Sequence, residues 1–283
     1  MQIINGKKIA AEIKRDLARE VVQLKLAGIK PALAVILVGD DPASQIYVRN
    51  KAKACAEVGI ESKIFQLKKN VKQEEILDLI QKINQNASIH GLLIQLPLPE
   101  YLDENLIVQS VAIEKDVDCF RIENVGKMFL GREKFLPCTP AAVIELLKKS
   151  NVEISGKDVV IIGRSRIVGK PLGAMLTNLD ATVTLCHSQT KNLSEKCVMA
   201  EILISATGKS GLVTESMIKA GAVVIDVGIS RTSKGKIVGD AVWSAIEKKA
   251  VLATPVPGGV GPMTITMLLK NTIIAAKMKL EKK

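Results

Sequence analysis

Short runs of apolar, β-branched residues alternate with segments of helical periodicity from Lys30 onward. This alternation is typical of a parallel sheet with crossover helices, so the predicted fold class is α/β. We expect strands at 34–38, 61–66, 91–95, 157–163, 181–185, 202–206 and 222–227. Helices are expected at 41–59, in a lysine-rich region that ends at Asn84, at 141–149 and from about 263 to 282.

The periodicity lapses between Val117 and Pro140, where turn residues intervene. A domain boundary is therefore expected there, with an α/β half on each side. Residues 254–262 are too rich in proline and glycine for regular structure. No solenoid-type repeat and no low-complexity tract appears.

The composition narrows the class of protein. The chain has 283 residues, 47% of them apolar and 24% charged, which is a globular composition with room for about two domains. No apolar run approaches the roughly 18 residues of a membrane-spanning helix, and the start has no hydrophobic signal core. We therefore expect a soluble, cytoplasmic protein without a membrane partner.

The five cysteines are odd in number and scattered, without a C-x-x-C pair, so reduced thiols and no metal site are expected.

The formal charge of +11 favours anionic partners. Nucleic-acid binding through exposed bases normally uses aromatic platforms, and the chain has four Phe, two Tyr and one Trp in total. No nucleic-acid partner is therefore expected. A lysine-rich solvated surface, or a phosphate-bearing cofactor or polyanionic substrate, explains the charge better.

The predicted helix 41–59 carries a lysine on its apolar face. In steps of 100° per residue, one sector collects Ser44, Val48, Lys51, Cys55 and Val58, with Tyr47 at its edge. An ammonium at the centre of an apolar stripe is costly to bury unless it is paired, so Lys51 is a candidate proton-transfer group. The alternative is a lysine whose stem packs on the core while its head reaches water.

Two other positions could meet this helix. Gln95 ends a buried strand, and open α/β sheets bind ligands at the carboxyl ends of their strands, although a glutamine there could also cap a turn. Asp116 and Asp118 lie in the aperiodic stretch, where an Asp is usually a turn former. Its functional alternative is to accept two parallel hydrogen bonds from an amino-pyrimidine edge.

The second half begins with a strand, a glycine turn and a helix start, as a Rossmann-type phosphate loop requires. Gly163 opens the turn, Ser165 takes the second glycine position and Gly169 comes one residue late, so the match to G-x-G-x-x-G is partial. Arg164 and Arg166 inside the turn favour a phosphate ligand.

The next strand, 181–185, ends in Cys186-His187-Ser188-Gln189-Thr190 without the acidic residue that would bind the ribose hydroxyl of NAD. Hydroxyls, an imidazole and two arginines can instead receive a ribose 2′-phosphate, which favours NADP. His187 could equally be a structural loop residue, and His90 is expected to be structural. Gly208 and Gly228-Ile229 follow further strands and could be simple tight turns.

Seven segments together resemble the signatures of one family, the bifunctional methylenetetrahydrofolate dehydrogenase and methenyltetrahydrofolate cyclohydrolases. They are, in order, Tyr47-x-x-x-Lys51, Gln95-Leu96-Pro97-Leu98, Lys115-Asp-Val-Asp118, Pro137-Cys-Thr-Pro140, Gly163-Arg-Ser165, Cys186-His-Ser188 and Pro255-Val-Pro-Gly-Gly-Val-Gly-Pro-Met-Thr264. The resemblance spans nearly the whole chain.

The resemblance implies two α/β domains with a folate cleft between them, and a homodimer. Residues 1–140 with the C-terminal helix 264–283 would form the folate and catalytic domain, and residues 141–263 the Rossmann-type NADP-binding domain. The implied activity is NADP-dependent oxidation of 5,10-methylenetetrahydrofolate to the 5,10-methenyl form and its hydrolysis to 10-formyltetrahydrofolate. The substrates would be tetrahydrofolate derivatives, with polyglutamylated forms included, and no metal would be needed.

The resemblance also implies roles for individual residues. Lys51 would be the catalytic base, Tyr47 and Ser44 its surrounding shell, Gln95 its orienting partner and Asp118 the pterin ligand. Further folate-site residues would be Leu96, Pro97, Pro257, Gly258, Gly259, Val260 and Gly261. The cofactor contacts would be Gly163, Arg164, Ser165, Arg166, Ser188 and Ile229.

One residue departs from the family pattern, because Cys119 stands where the family usually has glycine. If that glycine has a positive φ, the loop around Asp118 is expected to differ here, and one of the two activities could be lost. Two other functions stay open at this point. One is an NADP oxidoreductase that resembles shikimate dehydrogenase, and the other is a non-catalytic anion-binding or nucleic-acid-binding protein, which only the charge of +11 supports.

Overall fold

A computed structural model describes residues 1–232 and 235–280, without the side chain of Ala43. The sequence-predicted α/β class is confirmed. In chain order the elements are β1 (Gln2–Ile3), α1 (Gly6–Leu26), β2 (Ala32–Val38), α2 (Pro42–Val58), β3 (Glu61–Leu67), α3 (Gln73–Gln85), β4 (Gly91–Ile94), α4 (Glu104–Gln109), α5 (Ile122–Phe129), α6 (Cys138–Lys149), β5 (Asp158–Ile162), α7 (Gly169–Thr177), β6 (Thr182–Cys186), α8 (Leu193–Cys197), β7 (Ile202–Ser205), β8 (Val223–Asp226), β9 (Ser230–Arg231), β10 (Ile237–Val238), α9 (Trp243–Lys249), β11 (Leu252–Ala253) and α10 (Val260–Lys277).

The chain divides into two compact units. The three-stranded unit consists of Glu12–Lys127, Arg132–Leu136 and Ile265–Lys283. The six-stranded unit consists of Met1–Ala11, Met128–Gly131 and Pro137–Thr264. The last three residues of the expected C-terminal helix, 281–283, lie outside the described part of the chain.

The three-stranded unit has a parallel sheet in the order β3-β2-β4. Every residue of β2 is buried, because α2 and α3 cross between strands and the central strand is covered on both faces. The uninterrupted apolar run of β2 is the pattern that such a strand requires. Ile76, Ile80 and Ile83 of α3 pack on this sheet with Ile36 and Leu92.

The six-stranded unit has a parallel sheet in the order β1-β11-β8-β7-β5-β6. Strand β5 lies between β6, the next strand in sequence, and β7, so the strand order reverses at β5. Ligands of open α/β sheets bind outside the carboxyl ends at such a switch point. The turn that begins at Gly163 lies at this position.

Several boundaries differ from those expected. Strand β1 pairs with β11 in the six-stranded sheet, whereas residues 1–140 are expected from the resemblance to lie in one domain. Helix α1 lies outside the predicted helices although its buried residues Ile13, Leu17, Val21 and Leu24 have helical spacing. The two-residue strands are too short to carry any periodicity. Helix α10 begins at Val260, inside the segment expected to be irregular, since Pro262 is tolerated in a first helical turn.

None of the helices in the described ranges combines the length and the low charge that a membrane crossing needs.

Candidate active site and dinucleotide loop

Helix α2 begins and ends where its sequence predicts. Asp41 is the N-cap, and its carboxylate accepts a hydrogen bond of 2.7 Å from the Ser44 backbone N–H. Pro42 occupies the first turn, where its missing N–H costs nothing. Gly59 closes the helix with a φ of 85°, a conformation that glycine adopts without steric cost. These caps fix the two ends of the helix.

The inward face of α2 carries the residues predicted for it. Ser44, Val48, Cys55 and Val58 are buried, Lys51 is half-buried, and Tyr47 at the edge of the face is exposed. The exposed side of the helix carries Arg49, Asn50, Lys53 and Glu57. Lys51 therefore lies in the apolar stripe and does not belong to the solvated face.

The Lys51 ammonium is paired with Gln95. Lys51 Nζ donates to Gln95 Oε1 at 3.0 Å, across 44 positions of sequence. Gln95 Nε2 donates in turn to the Leu96 carbonyl at 2.8 Å, and this second bond fixes the orientation of the side-chain amide. The Gln95 backbone N–H donates to Ile36 O at 2.9 Å, so the residue extends the pairing of β4 with β2. Lys51 is thus held at the carboxyl end of the sheet, where a ligand is expected.

Cys55 lies one helical turn beyond Lys51 and is fully buried. Burial raises the pKa of the Cys55 thiol to about 12, and the positive charge of Lys51 offsets this effect in part. The thiol is therefore neutral at physiological pH and serves as an apolar wall beside Lys51.

The two carboxylates of the Lys115–Asp118 segment have different environments. Asp116 is buried and accepts hydrogen bonds from the Phe120 and Arg121 backbone N–H groups and from Asn124 Nδ2, at 2.8–3.0 Å. Its burial raises the pKa, and these hydrogen bonds oppose the rise. Asp116 therefore has the structural role of a turn former. Asp118, in the next turn, is half-buried.

Cys119 corrects the expectation that this loop must differ. Cys119 has a φ of 59°, in the left-handed region where glycine is favoured, and it is fully buried. Its thiol donates to Phe135 O at 3.4 Å, and burial raises its pKa. A non-glycine residue in this conformation costs about 1–2 kcal/mol. The turn around Asp118 is thus compatible with the positive φ, at a cost in strain.

Asn271 also stabilises this loop and is not among the site residues predicted from the sequence. Its Nδ2 donates to Val117 O and Leu136 O, both at 2.8 Å, from a buried position on α10. An asparagine within the apolar run of α10 was the signal available in the sequence, because a buried amide needs partners. The C-terminal helix therefore packs against the Lys115–Asp118 segment within the three-stranded unit.

The dinucleotide loop after β5 is compact. A Cβ on Gly163 would overlap Ala206 O, and a Cβ on Gly169 would overlap Gly163 O, so neither position has room for a side chain. Ser165 Oγ accepts a hydrogen bond from the Val168 N–H at 3.1 Å and so orders the start of α7. Ser165 with its neighbours Arg164 and Arg166 is exposed. These features fit the phosphates of a dinucleotide, with the close backbone approach that the two glycines allow.

The end of the neighbouring strand β6 carries polar side chains. The His187 backbone N–H donates to Thr190 Oγ1 at 2.8 Å, and His187 Nδ1 accepts from the Gln189 N–H at 3.2 Å, so the imidazole stabilises its own turn. Ser188 is exposed in this turn. A depression of about 640 Å³ adjoins it, bordered by His187, Gln189, Thr190, Lys191, Asn192, Glu195, Lys196 and Met199.

The proline- and glycine-rich segment follows β11 in the six-stranded unit. The Val256–Pro257 peptide bond is cis, and Gly258 has a φ of 111°. Gly258 O accepts a hydrogen bond of 3.1 Å from the Lys7 backbone N–H, and a Cβ on Gly259 would lie 2.7 Å from Thr254 Cβ. Val260 and Gly261 begin α10. Four positions of this unit thus each follow a strand of one parallel sheet, at its carboxyl edge. They are Gly163, Ser188, Ile229 and Pro257.

Comparison with known proteins agrees with this arrangement. Residues 4–118 match the model of the tetrahydrofolate dehydrogenase/cyclohydrolase catalytic domain, and residues 137–280 match the NAD(P)-binding domain of the same family. The bifunctional protein FolD of Moorella thermoacetica is 53% identical over 98% of this chain and 99% of its own length.

Two solved structures have the same fold over the full length. The bifunctional methylenetetrahydrofolate dehydrogenase/cyclohydrolase FolD of Campylobacter jejuni is 50% identical with a TM-score of 0.97, and 99% of each chain is covered. The Trypanosoma brucei enzyme, solved with NADP cofactor and an inhibitor, is 39% identical with a TM-score of 0.94, and 98% of each chain is covered. The chain therefore belongs to the tetrahydrofolate dehydrogenase/cyclohydrolase family and is a bifunctional enzyme that oxidises 5,10-methylenetetrahydrofolate and hydrolyses the 5,10-methenyl product to 10-formyltetrahydrofolate.

Proposed function

We propose that Lys51 is the proton-transfer residue of the hydrolytic step. The hydrogen bond between Lys51 Nζ and Gln95 Oε1 carries this proposal. An amide oxygen accepts from an ammonium and from an amine alike, because both have N–H groups. Gln95 can therefore hold Lys51 in place while the lysine takes up and releases a proton.

In the hydrolytic step water adds to the carbon of the methenyl cation, and the lysine amine takes a proton from that water. The bond from this carbon to one ring nitrogen then breaks as the lysine ammonium returns a proton to the leaving nitrogen. The second water proton passes to solvent, so the formyl product forms with the net release of one proton. Lys51 is half-buried, which leaves its amine accessible to a substrate and to the attacking water, as a general acid–base group must be.

The residues around Lys51 are proposed to bind the folate. Tyr47 is exposed one turn from Lys51, where its ring can pack on an aromatic substrate, and Ser44 completes the same face of α2. Asp118 is proposed to hold the pterin through its two carboxylate oxygens. Proposed further contacts are Gln95, Leu96, Pro97, Pro257, Gly258, Gly259, Val260 and Gly261.

The loop after β5 is proposed to hold the phosphates of NADP. The supporting observations are the space cleared by Gly163 and Gly169 and the exposed side chains of the turn. Proposed contacts are Gly163, Arg164, Ser165, Arg166, Ser188 and Ile229. When bound, the nicotinamide supplies the hydride acceptor for the oxidation. The absence of an acidic residue in the turn after β6 supports NADP over NAD.

The oligomeric state and cellular location are also proposals. Strand β6 is an edge of the six-stranded sheet, with Thr182, Thr184 and Leu185 exposed, and such an edge can pair with a second copy to form a homodimer. All five cysteines are free, which supports a reducing compartment such as the cytoplasm.

The net charge of +11 supports a preference for polyglutamylated folates. A KM for a folate pentaglutamate equal to that for the monoglutamate would contradict this preference.

One experiment tests the function as a whole. Purified enzyme is mixed with 5,10-methylenetetrahydrofolate and NADP, and absorbance is followed for NADPH and for the methenyl chromophore. Formation of NADPH with the rise and decay of the methenyl species is the expected result. NADPH formation with a stable methenyl species would contradict the hydrolytic role of Lys51.

A further inference from the structure

Two carboxylates are buried beside each other in the six-stranded unit, outside the residues assigned above. Asp226 is 3% exposed and Asp240 is fully buried. No ion pair among the described residues involves either side chain. Asp240 Oδ1 has no hydrogen-bond partner in the described part of the chain. Burial of two acidic groups without a cation is costly, so their other contacts must compensate.

Asp240 holds the end of strand β7. Its Oδ2 atom accepts hydrogen bonds from Ser205 Oγ at 2.8 Å, from the Thr207 backbone N–H at 2.7 Å and from Thr207 Oγ1 at 2.9 Å. Ser205 is the last residue of β7, and Thr207 lies in the loop that follows it. One carboxylate oxygen thus fixes this loop.

Asp226 holds the end of strand β8 and the backbone of Asp240. Its Oδ1 atom accepts from the N–H groups of Gly228 and Asp240, both at 3.0 Å, and its Oδ2 atom accepts from the Ala241 N–H at 2.9 Å. The two carboxylates therefore join the loops after β7 and β8, which are neighbouring strands of the sheet.

Ile229 lies between two fixed positions of the loop after β8. On one side, Gly228 packs so closely on Asp240 that an added Cβ would overlap Asp240 Oδ1. On the other side, Ser230 Oγ donates to Gly208 O at 2.7 Å. Ile229 itself is 46% exposed. An exposed apolar side chain on a rigid loop at the carboxyl edge of a parallel sheet is suited to contact a ligand.

We propose that Asp226 and Asp240 are positioning residues for the nicotinamide cofactor. The pair fixes the loop after β8, and this loop presents Ile229 to the cofactor. This inference rests on the proposed cofactor contacts of the six-stranded unit. Buried and largely satisfied polar networks make a local structure rigid, and rigidity lowers the entropy lost when a ligand binds. The two carboxylates touch neither substrate nor cofactor in this role.

The test measures NADP affinity in the full-length Asp240→Asn, Ile229→Ala and double variants. We expect each single variant to raise the Kd for NADP about tenfold, and the double variant to match Ile229→Ala, because residues that act through one another are not additive. Hydrolysis of supplied methenyltetrahydrofolate should stay within about twofold in Asp240→Asn, since that step needs no hydride acceptor. Additive losses in the double variant would overturn the proposal.

Two further variants keep the test decisive. Ile218→Ala truncates a fully packed core residue of the same unit, and it should lower stability with an unchanged Kd for NADP. If it raises the Kd as much as Asp240→Asn does at equal loss of stability, the carboxylates are merely structural and the proposal fails. If Asp240→Asn does not fold, Thr207→Val removes one donor to Asp240 and is measured in its place, with the same expected loss of affinity and the same lack of additivity with Ile229→Ala.

Failure of the underlying cofactor site gives a different result. An Arg164→Ala variant that binds NADP normally would contradict the proposed phosphate loop. Normal affinity in Asp240→Asn alongside weakened affinity in Arg164→Ala would contradict the positioning role alone.

Discussion

Lys51 Nζ lies 3.0 Å from Gln95 Oε1, and this contact joins helix α2 to the carboxyl end of strand β4. Each partner has a fixed environment of its own. Lys51 projects from a helix whose two ends are capped, and Gln95 is held by the Leu96 carbonyl. The proposed proton-transfer group is therefore oriented before substrate arrives, which is the condition for efficient acid–base chemistry.

Lys51→Ala should abolish hydrolysis while NADP binding is retained. Loss of a general acid–base group lowers a rate by about 10²–10⁴-fold. Hydrolysis of methenyltetrahydrofolate and the Kd for NADP are measured on the same preparation. Lys53→Ala is the matched control, because Lys53 lies exposed on the opposite side of α2. Full cyclohydrolase turnover in Lys51→Ala would refute its role.

Gln95→Ala should lower kcat for hydrolysis about tenfold, because Lys51 remains but loses its orienting partner. Gln66→Ala is a suitable control. Gln66 lies on the edge strand β3, and its side-chain amide donates to the backbone carbonyl of Gly39 at the end of the central strand β2. Its hydrolytic rate should stay near that of the wild type. Equal losses in the two variants would indicate a general effect on the sheet edge.

Ser188→Asp should reverse the preference for NADP over NAD. The new carboxylate would repel a ribose 2′-phosphate and accept a hydrogen bond from the ribose hydroxyl of NAD. The ratio of kcat/KM for the two cofactors is the readout, with an expected change of about 100-fold or more. Ser216→Asp introduces the same charge at another exposed serine and should leave the ratio unchanged. Comparable kcat/KM values for NADP and NAD in the wild type would count against the proposed phosphate contacts.

Cys119→Gly should be more stable than Cys119→Ala. Both variants lose the buried thiol, but the glycine variant also loses the strain of the positive φ, which amounts to about 1–2 kcal/mol. The free energy of unfolding from denaturant titration measures the difference, and both activities should persist in the glycine variant. An alanine variant as stable as the glycine variant would mean that the backbone here is unstrained.

Asp226 and His90 should give opposite dependences of stability on pH. Burial raises the pKa of Asp226 to about 6, partly opposed by the N–H groups of Asp240 and Ala241, while the charge of Asp240 raises it further. The folded state then holds a proton that the unfolded state has released between about pH 4 and 6. The contribution of Asp226 to the unfolding free energy therefore falls as pH rises through this window, by about 3 kcal/mol. Asp226→Asn should remove this fall.

Burial lowers the pKa of His90 to about 4, with the charges of Lys279 and Lys115 adding to the effect. The unfolded state then binds the extra proton between about pH 4 and 6.5, so the contribution of His90 to the unfolding free energy rises with pH by about 3 kcal/mol. His90→Asn keeps an acceptor for the Ala32 N–H and should remove the rise. Denaturant titrations at pH 4.5 and 7 measure both effects, and a variant whose pH dependence equals that of the wild type would contradict its assignment.

Much of the candidate site could be predicted because it depends on local order. Asp41, Pro42 and Gly59 determine the ends of α2, and the 3.6-residue period then places Lys51 on the same face as the apolar residues that pack inward. The glycines of the loop after β5 are similarly local signals, since a strand, a tight turn and a helix start are adjacent in sequence. The apolar run of β2 identified a strand covered on both faces.

Other features needed the tertiary structure, because they join residues far apart in sequence. Asp116 and Asp118 look alike in the sequence, and only the donors around them make Asp116 a turn former. Cys119 could keep or change its loop, and the folded chain alone showed the positive φ. The Asp226–Asp240 pair and the pairing of β1 with β11 likewise follow from packing between distant segments. Sequence by itself thus determined the elements and the chemistry that they could carry, whereas long-range packing decided which polar groups are satisfied and which remain available to a substrate.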